Sequence, residues 1–236
     1  MKVNIPNEIK PLYEKLAQKF SLEWVPLTIR GKTIQILKPK DIEALLEGEE
    51  LQNIEKFPFW ARIWEASLIL ADFLATIPPK GRVLELGAGL GVAGLVAAAF
   101  GHQVVAGDSE ELCLEFVRVT AAANGLENIK IEKVDWQEPP PLGQFEMIIG
   151  SEIVYSGRHF ESLFQIFRQY LAPNGVIYLA HDKERMRTLA PFLYLAEKEY
   201  EEAVSQRRLR SGDQVYEIVI SRLIPRQNTL APEGTS

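Results

Sequence analysis

Val83-Leu84-Glu85-Leu86-Gly87-Ala88-Gly89-Leu90-Gly91 decides the fold. The residues before Gly87 read as a short buried strand, and Val92 to Phe100 read as a helix. Gly87, Ala88 and Gly89 then form the turn between them, where a ligand can approach the backbone closely. The glycine spacing leaves Val92 where a dinucleotide-binding turn wants a third Gly or Ala. Glu85 stands where such a turn more often has an apolar residue. A carboxylate there suits a ligand with an ammonium group and repels a pyrophosphate. The alternative is a structural strand–helix turn with Glu85 as a surface charge.

Outward from this stretch, strand and helix alternate. Strands are expected at Arg82–Leu86, Gln103–Gly107, Ile129–Lys133, Phe145–Gly150 and Val176–Ala180, with helices at Val92–Phe100, Glu110–Asn124, Gly157–Leu171 and Lys183–Leu195. Such alternation implies a parallel sheet with helices on both faces. Glu201–Leu209 and Gln214–Leu223, flanking Ser211-Gly212-Asp213, read as a closing antiparallel hairpin. The expected fold is α/β: a doubly wound, mostly parallel seven-strand sheet with a C-terminal hairpin and a small N-terminal accessory segment. Trp60, Ile63, Trp64, Ser67, Leu68, Ala71 and Leu74 fall at helical spacing ahead of the first strand, and Pro78-Pro79-Lys80-Gly81 ends that helix. Val25–Leu37 alternates around Arg30-Gly31-Lys32 as a short hairpin, and Asp41 caps an expected helix through Leu46. The organisation expected is an accessory segment over 1–57, one domain over 58–224 and a disordered tail over 225–236.

With 236 residues, one generous domain is expected. No apolar run reaches the roughly 20 residues of a membrane span; Leu84 to Phe100 comes nearest and is interrupted by Glu85 and four glycines. The opening residues lack the apolar core of a secretory signal, so a cytoplasmic location is expected. A net charge of −6 gives no support to a nucleic-acid partner. The single cysteine, Cys113, excludes an internal disulfide and a cysteine-based zinc site, and its apolar neighbours point to packing. No histidine pair has metal-site spacing. His102 and His159 read as surface residues; His181 ends the fifth parallel strand on the edge where substrates lie, with a pocket-lining role as the lesser alternative.

Three further carboxylates fall at expected strand ends. Asp108 ends the second strand, where a carboxylate can accept both hydroxyls of a ribose, or can cap the next helix. Asp135-Trp136 follows the third strand: an indole there can stack on a purine and Asp135 can accept from an exocyclic amine, the rival being a core Trp with a turn Asp. Ser151-Glu152-Ile153-Val154-Tyr155 follows the fourth strand, near the point where strand order reverses. Glu152 and Tyr155 would border a reaction centre there, or serve as a helix cap and a packed ring.

Together VLELGAGLG, Asp108, Asp135-Trp136 and E-x-x-Y resemble the seven-strand (class I) S-adenosylmethionine-dependent methyltransferases. Within that class they resemble the small protein-lysine methyltransferases with D-x-x-Y after the fourth strand. The resemblance runs from Phe59 to Leu223 and includes FWARIWEASLILADFL. It implies S-adenosyl-L-methionine as cofactor, held by Trp64, Glu85, Gly87, Ala88, Gly89, Asp108, Asp135, Trp136 and Ser151. It implies Glu152, one methylene longer than the family's Asp, and Tyr155 as catalytic-site residues. Enzymes of this class that act on amide or base nitrogens resemble one another in an Asn-Pro-Pro-Tyr-type loop, absent here. The acceptor implied is a protein lysine or a small amine; a non-catalytic nucleoside-cofactor-binding module is the reading of another class.

Overall fold

The computed structural model describes residues 3–41 and 57–226. The chain opens with α1 (Lys10–Lys19) and a two-stranded hairpin, β1 (Leu22–Ile29) and β2 (Lys32–Pro39). Its turn is Arg30-Gly31, both at positive φ (46° and 82°), as a two-residue turn between right-twisted strands requires. After α2 (Glu65–Leu74) come β3 (Arg82–Leu86), α3 (Val92–Ala99), β4 (Gln103–Asp108), α4 (Glu111–Ala123), β5 (Ile129–Lys133) and β6 (Phe145–Ser151). Then follow α5 (Phe160–Tyr170), β7 (Leu171–Asp182), α6 (Met186–Ala196), β8 (Tyr200–Ser211) and β9 (Gln214–Pro225).

The main sheet runs β5-β4-β3-β6-β7-β9-β8, parallel through β7 and antiparallel in the last two strands. Strand order reverses between β3 and β6, where the chain leaves a crevice at the strands' carboxyl ends. Alternation along β3 divides the core: Val83 joins a cluster with α2, α3 and α4, whereas Leu84 and Leu86 join one with α5 and α6. The seven-strand sheet with its terminal hairpin is thus as expected.

The differences lie at element boundaries. The helix expected from Trp60 begins only at Glu65; Phe59–Ala61 form a 3-10 turn, and Trp64 is extended at ψ 142°. Its indole N–H donates to Phe59 O at 3.0 Å, tying the segment into a shape that shares apolar spacing with a helix without being one. β7 starts at Leu171 rather than Val176, crossing a register shift opposite Phe145/Met147. The terminal strands are longer than expected and meet at a Ser211↔Gln214 pair. α1 was not anticipated, although Leu12, Leu16 and Phe20 recur at four-residue spacing. The helix expected from Asp41 through Leu46, and the tail beyond 226, lie outside the described residues.

The N-terminal hairpin is welded to the sheet domain. Ile34, Ile36 and Leu37 are buried in the same cluster as α3 and α4. Asn124, capping α4, accepts from Gln35 N and donates to Gln35 O, both at 2.8 Å, so one side chain imitates a strand partner. The Thr120 hydroxyl accepts from the buried Leu37 N–H at 3.1 Å. Asn124→Ala strands both Gln35 groups and is expected to lower unfolding free energy by about 1–3 kcal/mol. Urea denaturation of the full chain checks this, an unchanged midpoint being the contrary result.

Candidate active site

The glycine turn stands at the carboxyl end of β3, beside the strand-order reversal. Gly87 has φ +61°, and a Cβ there would press on Ile153 Cγ2 at 2.8 Å and reach Trp136 at 3.7 Å. Only glycine allows this backbone and this closeness together. The turn therefore touches the loops after β5 and β6. Gly89 lies against the Trp60 backbone, placing the segment before α2 along its other side.

Asp108, ending β4, braces the turn. Its Oδ2 accepts from Gly89 N at 2.9 Å and its Oδ1 from Glu110 N at 3.0 Å. Burial raises its pKa, and these amides oppose the rise. The bond to Glu110 N is the helix-side contact of the capping alternative, although the N-cap residue of α4 is Glu110. Trp136 is half-buried, packed on the α5/α6 core and edge-on to His159 at 6.0 Å between centroids. The Tyr155 ring lies 5.2 Å from His159 and is 52% exposed, so it faces the open side of the crevice. Ser151 closes β6 opposite Ala180 and is half-buried. Asp135 is exposed and its Oδ1 accepts from Gln137 N at 2.8 Å, closing its own turn.

Glu85 is not a surface charge and does not face the open side of the turn. It is 3% exposed, directed beneath α3 toward the amides of Ala93 and Gly94. A Cβ on Gly94 would collide with its carboxyl, which explains a glycine inside this helix. Burial pushes its pKa up to about 8, with the nearby Asp108 charge adding to the rise and the two amides opposing it. Glu85 is therefore a neutral carboxylic acid at pH 7.

Glu152 occupies a left-handed backbone (φ 57°) just past β6. Its N–H donates to Ala180 O at 2.9 Å, and its Oε1 accepts from Asp182 N at 2.7 Å. Oε2 lies 2.9 Å from Arg185 Nε in an ion pair that lacks hydrogen-bond alignment. The side chain is 9% exposed; burial lifts its pKa to about 7 against the pull of the Asp182 amide and Arg185. The Trp64 ring has the Arg62 and Arg185 guanidinium carbons over it at 4.6 and 5.3 Å.

One histidine, His102, differs from expectation. His181 lies at the end of β7 as expected and is fully buried rather than pocket-lining: its Nε2 accepts from Val154 N at 3.1 Å, and burial drives its pKa down to about 3, so it is a neutral anchor for the Glu152 loop. His102 is fully buried rather than superficial; its place at the start of an expected strand concealed this. His159 is part-exposed. Sequence reasoning missed Arg185 altogether. Its signal, a basic residue three positions beyond the last parallel strand, is indistinguishable from an ordinary solvated charge.

The structure thus joins Gly87, Gly89, Asp108, Trp136 and Tyr155 around one crevice and sets Trp64 and Glu152 on either side of Arg185, while Glu85 sits behind the turn. Two surface cavities, of about 460 and 260 Å3, lie elsewhere, one around Tyr13 and Phe20, the other between Asp72 and Arg207; neither has these residues in its lining.

The sheet order and the turn at its reversal define a Rossmann-like methyltransferase fold. It is shared with the N-methyltransferase NodS from Bradyrhizobium japonicum, solved with S-adenosyl-L-homocysteine, at a TM-score of 0.55 and 14% identity over 68% of this chain and 86% of that one. The chain belongs to the lysine methyltransferase family, whose model matches residues 51–200. It is 30% identical over 128 residues to protein N-lysine methyltransferase METTL21A of Xenopus tropicalis, covering 51% of this chain and 59% of that protein. It is 31% identical over 116 residues to histone-arginine methyltransferase METTL23 of Xenopus laevis, covering 45% and 49%. The chain thus spans about half to three fifths of the length of these relatives.

Glu85 carries a pH signature. The unfolded chain loses this proton above about 4.5, its ordinary value, whereas the folded chain keeps it until about 8. The folded state binds the extra proton in that window, so stability falls as pH rises, by up to about 1.4 kcal/mol per pH unit from this group. Glu85→Gln, neutral throughout, is expected to lose less stability than the wild type between pH 5 and 8 in parallel denaturant titrations. Parallel pH curves for the two proteins would contradict a protonated Glu85.

Proposed function

We propose that the chain is an S-adenosylmethionine-dependent methyltransferase whose acceptor is a lysine side chain of a protein. The observation that carries this reading is the convergence, at one edge of a family-matched sheet, of the Asp108-braced glycine turn and the buried carboxylate of Glu152. The residues fit the cofactor's parts. Gly87 and Gly89, both at positive φ on either side of Ala88, keep the turn's backbone bare where it packs against Ile153 and the Trp60 backbone, and the cofactor's approach is proposed along that backbone. Asp108 has lone pairs beyond its two amide bonds for ribose hydroxyls. Trp136, with Asp135 beside it, offers an indole for the purine; Ser151 and Trp64 complete the proposed contacts. Glu85 is assigned to the turn's support, because its carboxyl is neutral and lies behind it.

When bound, S-adenosylmethionine supplies a methyl group on a sulfonium that is already a good leaving group. The chain's task is to hold an amine lone pair in line, and positioning can supply much of the barrier reduction. A lysine has a solution pKa of about 10.4 and arrives as an ammonium. Ionised Glu152 recruits and orients that cation, while burial in the crevice favours release of its proton. Glu152 raises the amine's pKa, so it is an aligning group and not a strong base. Tyr155, exposed on the open side of the crevice beside His159, is assigned to the wall of the acceptor channel.

Asp108→Ala is expected to weaken S-adenosylhomocysteine binding by about 1–3 kcal/mol through stranded polar groups; unchanged affinity by calorimetry overturns the ribose assignment. Isotope-labelled S-adenosylmethionine incubated with this chain and a cell lysate is expected to mark protein lysines in mass spectrometry. Label on arginine, or only in small molecules, refutes the lysine reading. With a protein acceptor in hand, kcat/KM is expected to fall as pH drops through about 7, where Glu152 takes up its proton. Glu152→Gln should bind S-adenosylhomocysteine normally, transfer slowly and show no such limb.

A further inference from the structure

Arg185 stands where the proposed acceptor's cation belongs. Its Nε is 2.9 Å from Glu152 Oε2 and its guanidinium carbon 5.3 Å from the Trp64 centroid, so a carboxylate and an aromatic face converge on one cation. The Glu152 carboxylate is only half engaged: Oε1 accepts from the Asp182 amide, but Oε2, though buried, accepts no aligned hydrogen bond. A buried acceptor without a donor is costly, and an ammonium, with three freely turning N–H groups, satisfies it more readily than the fixed fork of a guanidinium. Arg185 can also leave. It lies on the 3-10 turn Lys183–Arg185 ahead of α6, and its side chain is 38% exposed.

Resting on the lysine reading above, we propose that Arg185 is a specificity-determining residue that holds the seat on Glu152 beside Trp64 until an acceptor ammonium displaces it. Displacement selects for acceptors delivered by a protein. A free amine must displace the guanidinium through one charge alone. A lysine on a protein surface brings further contacts, and the aromatic residues beside the seat are exposed to receive them: Phe57 and Phe59, at 37% and 44%. Phe59 is joined to the seat directly, since its carbonyl accepts from Trp64 Nε1 and its ring lies 6.2 Å from the Trp64 ring. Among the described residues, the charges that act on Glu152 are Arg185 and Asp182 around the end of β7 and Glu65 on α2; Arg62, also over the Trp64 ring, is paired with Glu65, so Arg185 is the cation that faces Glu152 directly. Its departure therefore raises the carboxyl's affinity for a proton as well as for another cation.

The test needs no methyl transfer. The full chain labelled with 13C at glutamate carboxyls, with Glu152→Gln assigning the resonance, reports the Glu152 titration. Arg185→Ala is expected to move that titration upward by about one pH unit relative to the wild type. At a pH above both titrations, n-butylammonium is expected to perturb the Glu152 resonance at concentrations about tenfold lower in Arg185→Ala than in the wild type, an estimate for the release of one competing ion pair. The double variant Glu152→Gln, Arg185→Ala should lose the added affinity. Arg185→Lys, which keeps the charge but not the fork, should fall between, and guards against a folding defect in the alanine variant. Equal n-butylammonium titrations in wild type and Arg185→Ala, with Glu152 titrating at the same pH, overturn the proposal. A displaceable Arg185 in a protein whose lysate label falls on arginine would retain the seat and refute only the lysine acceptor. With the protein acceptor found, Arg185→Ala is further expected to lower KM for free lysine more than KM for that protein; the reverse order contradicts the selectivity.

Discussion

Asp108 holds the site together through two hydrogen bonds from backbone amides. Gly89 N belongs to the turn after β3, and Glu110 N to the start of α4, so a single carboxylate locks two strand–helix junctions to each other. The arrangement answers the problem of unpaired amides at a helix-forming turn. It also concentrates negative charge in a buried place, and Glu85 lies close enough for that charge to raise its pKa. Two ionised carboxylates side by side in the interior would repel strongly. The chain resolves this by keeping Glu85 protonated beneath α3, where Gly94 makes space for it. A neutral acid behind the turn and a second carboxyl, pushed upward by burial but held by two backbone amides, follow from the same crowding.

The Glu152 loop obeys a similar economy of contacts. A left-handed backbone at a non-glycine residue carries a steric cost of roughly 1–2 kcal/mol. It is offset by bonds that all lead to the end of β7: Glu152 N to Ala180 O, Asp182 N to Glu152 Oε1, and Val154 N to His181 Nε2. The strand that pairs with β6 thus also fixes the loop beyond it. His181 serves this purpose only while neutral, which its complete burial secures.

Most of this architecture was legible beforehand because it is carried by periodicity. Alternating strand and helix patterns, a glycine turn and a terminal hairpin are local signals, and each has one compact solution in a doubly wound sheet. Boundaries were legible less well. Trp60, Ile63 and Trp64 keep helical spacing, yet the Trp64 indole bonds to Phe59 O and holds the segment out of the helix. The direction of a side chain from a strand is also hard to read from sequence: Glu85, read as a carboxylate for a ligand's ammonium, shares a face with Val83 and is buried with it beneath α3. His102 shows the same difficulty, a polar residue at a strand edge that packing nonetheless encloses. Arg185 was invisible for a different reason. Its importance comes from three elements, the β6 loop, the end of β7 and the segment before α2, meeting in space, and no spacing along the chain records such a meeting.

The length of the Glu152 side chain makes sense only in that meeting. From a left-handed backbone held against Ala180, the carboxyl must reach the Asp182 amide with one oxygen and present the other to a cation beside Trp64. An aspartate at this position is shorter by one methylene and lacks the torsion that lets the carboxyl turn between the two partners. If it kept the amide, its second oxygen would sit deeper and farther from Arg185; if it followed the cation, the Asp182 amide would lose its partner. The extra methylene, the basic residue after β7 and the indole ahead of α2 thus meet at one place, with the Arg185 guanidinium between carboxyl and ring.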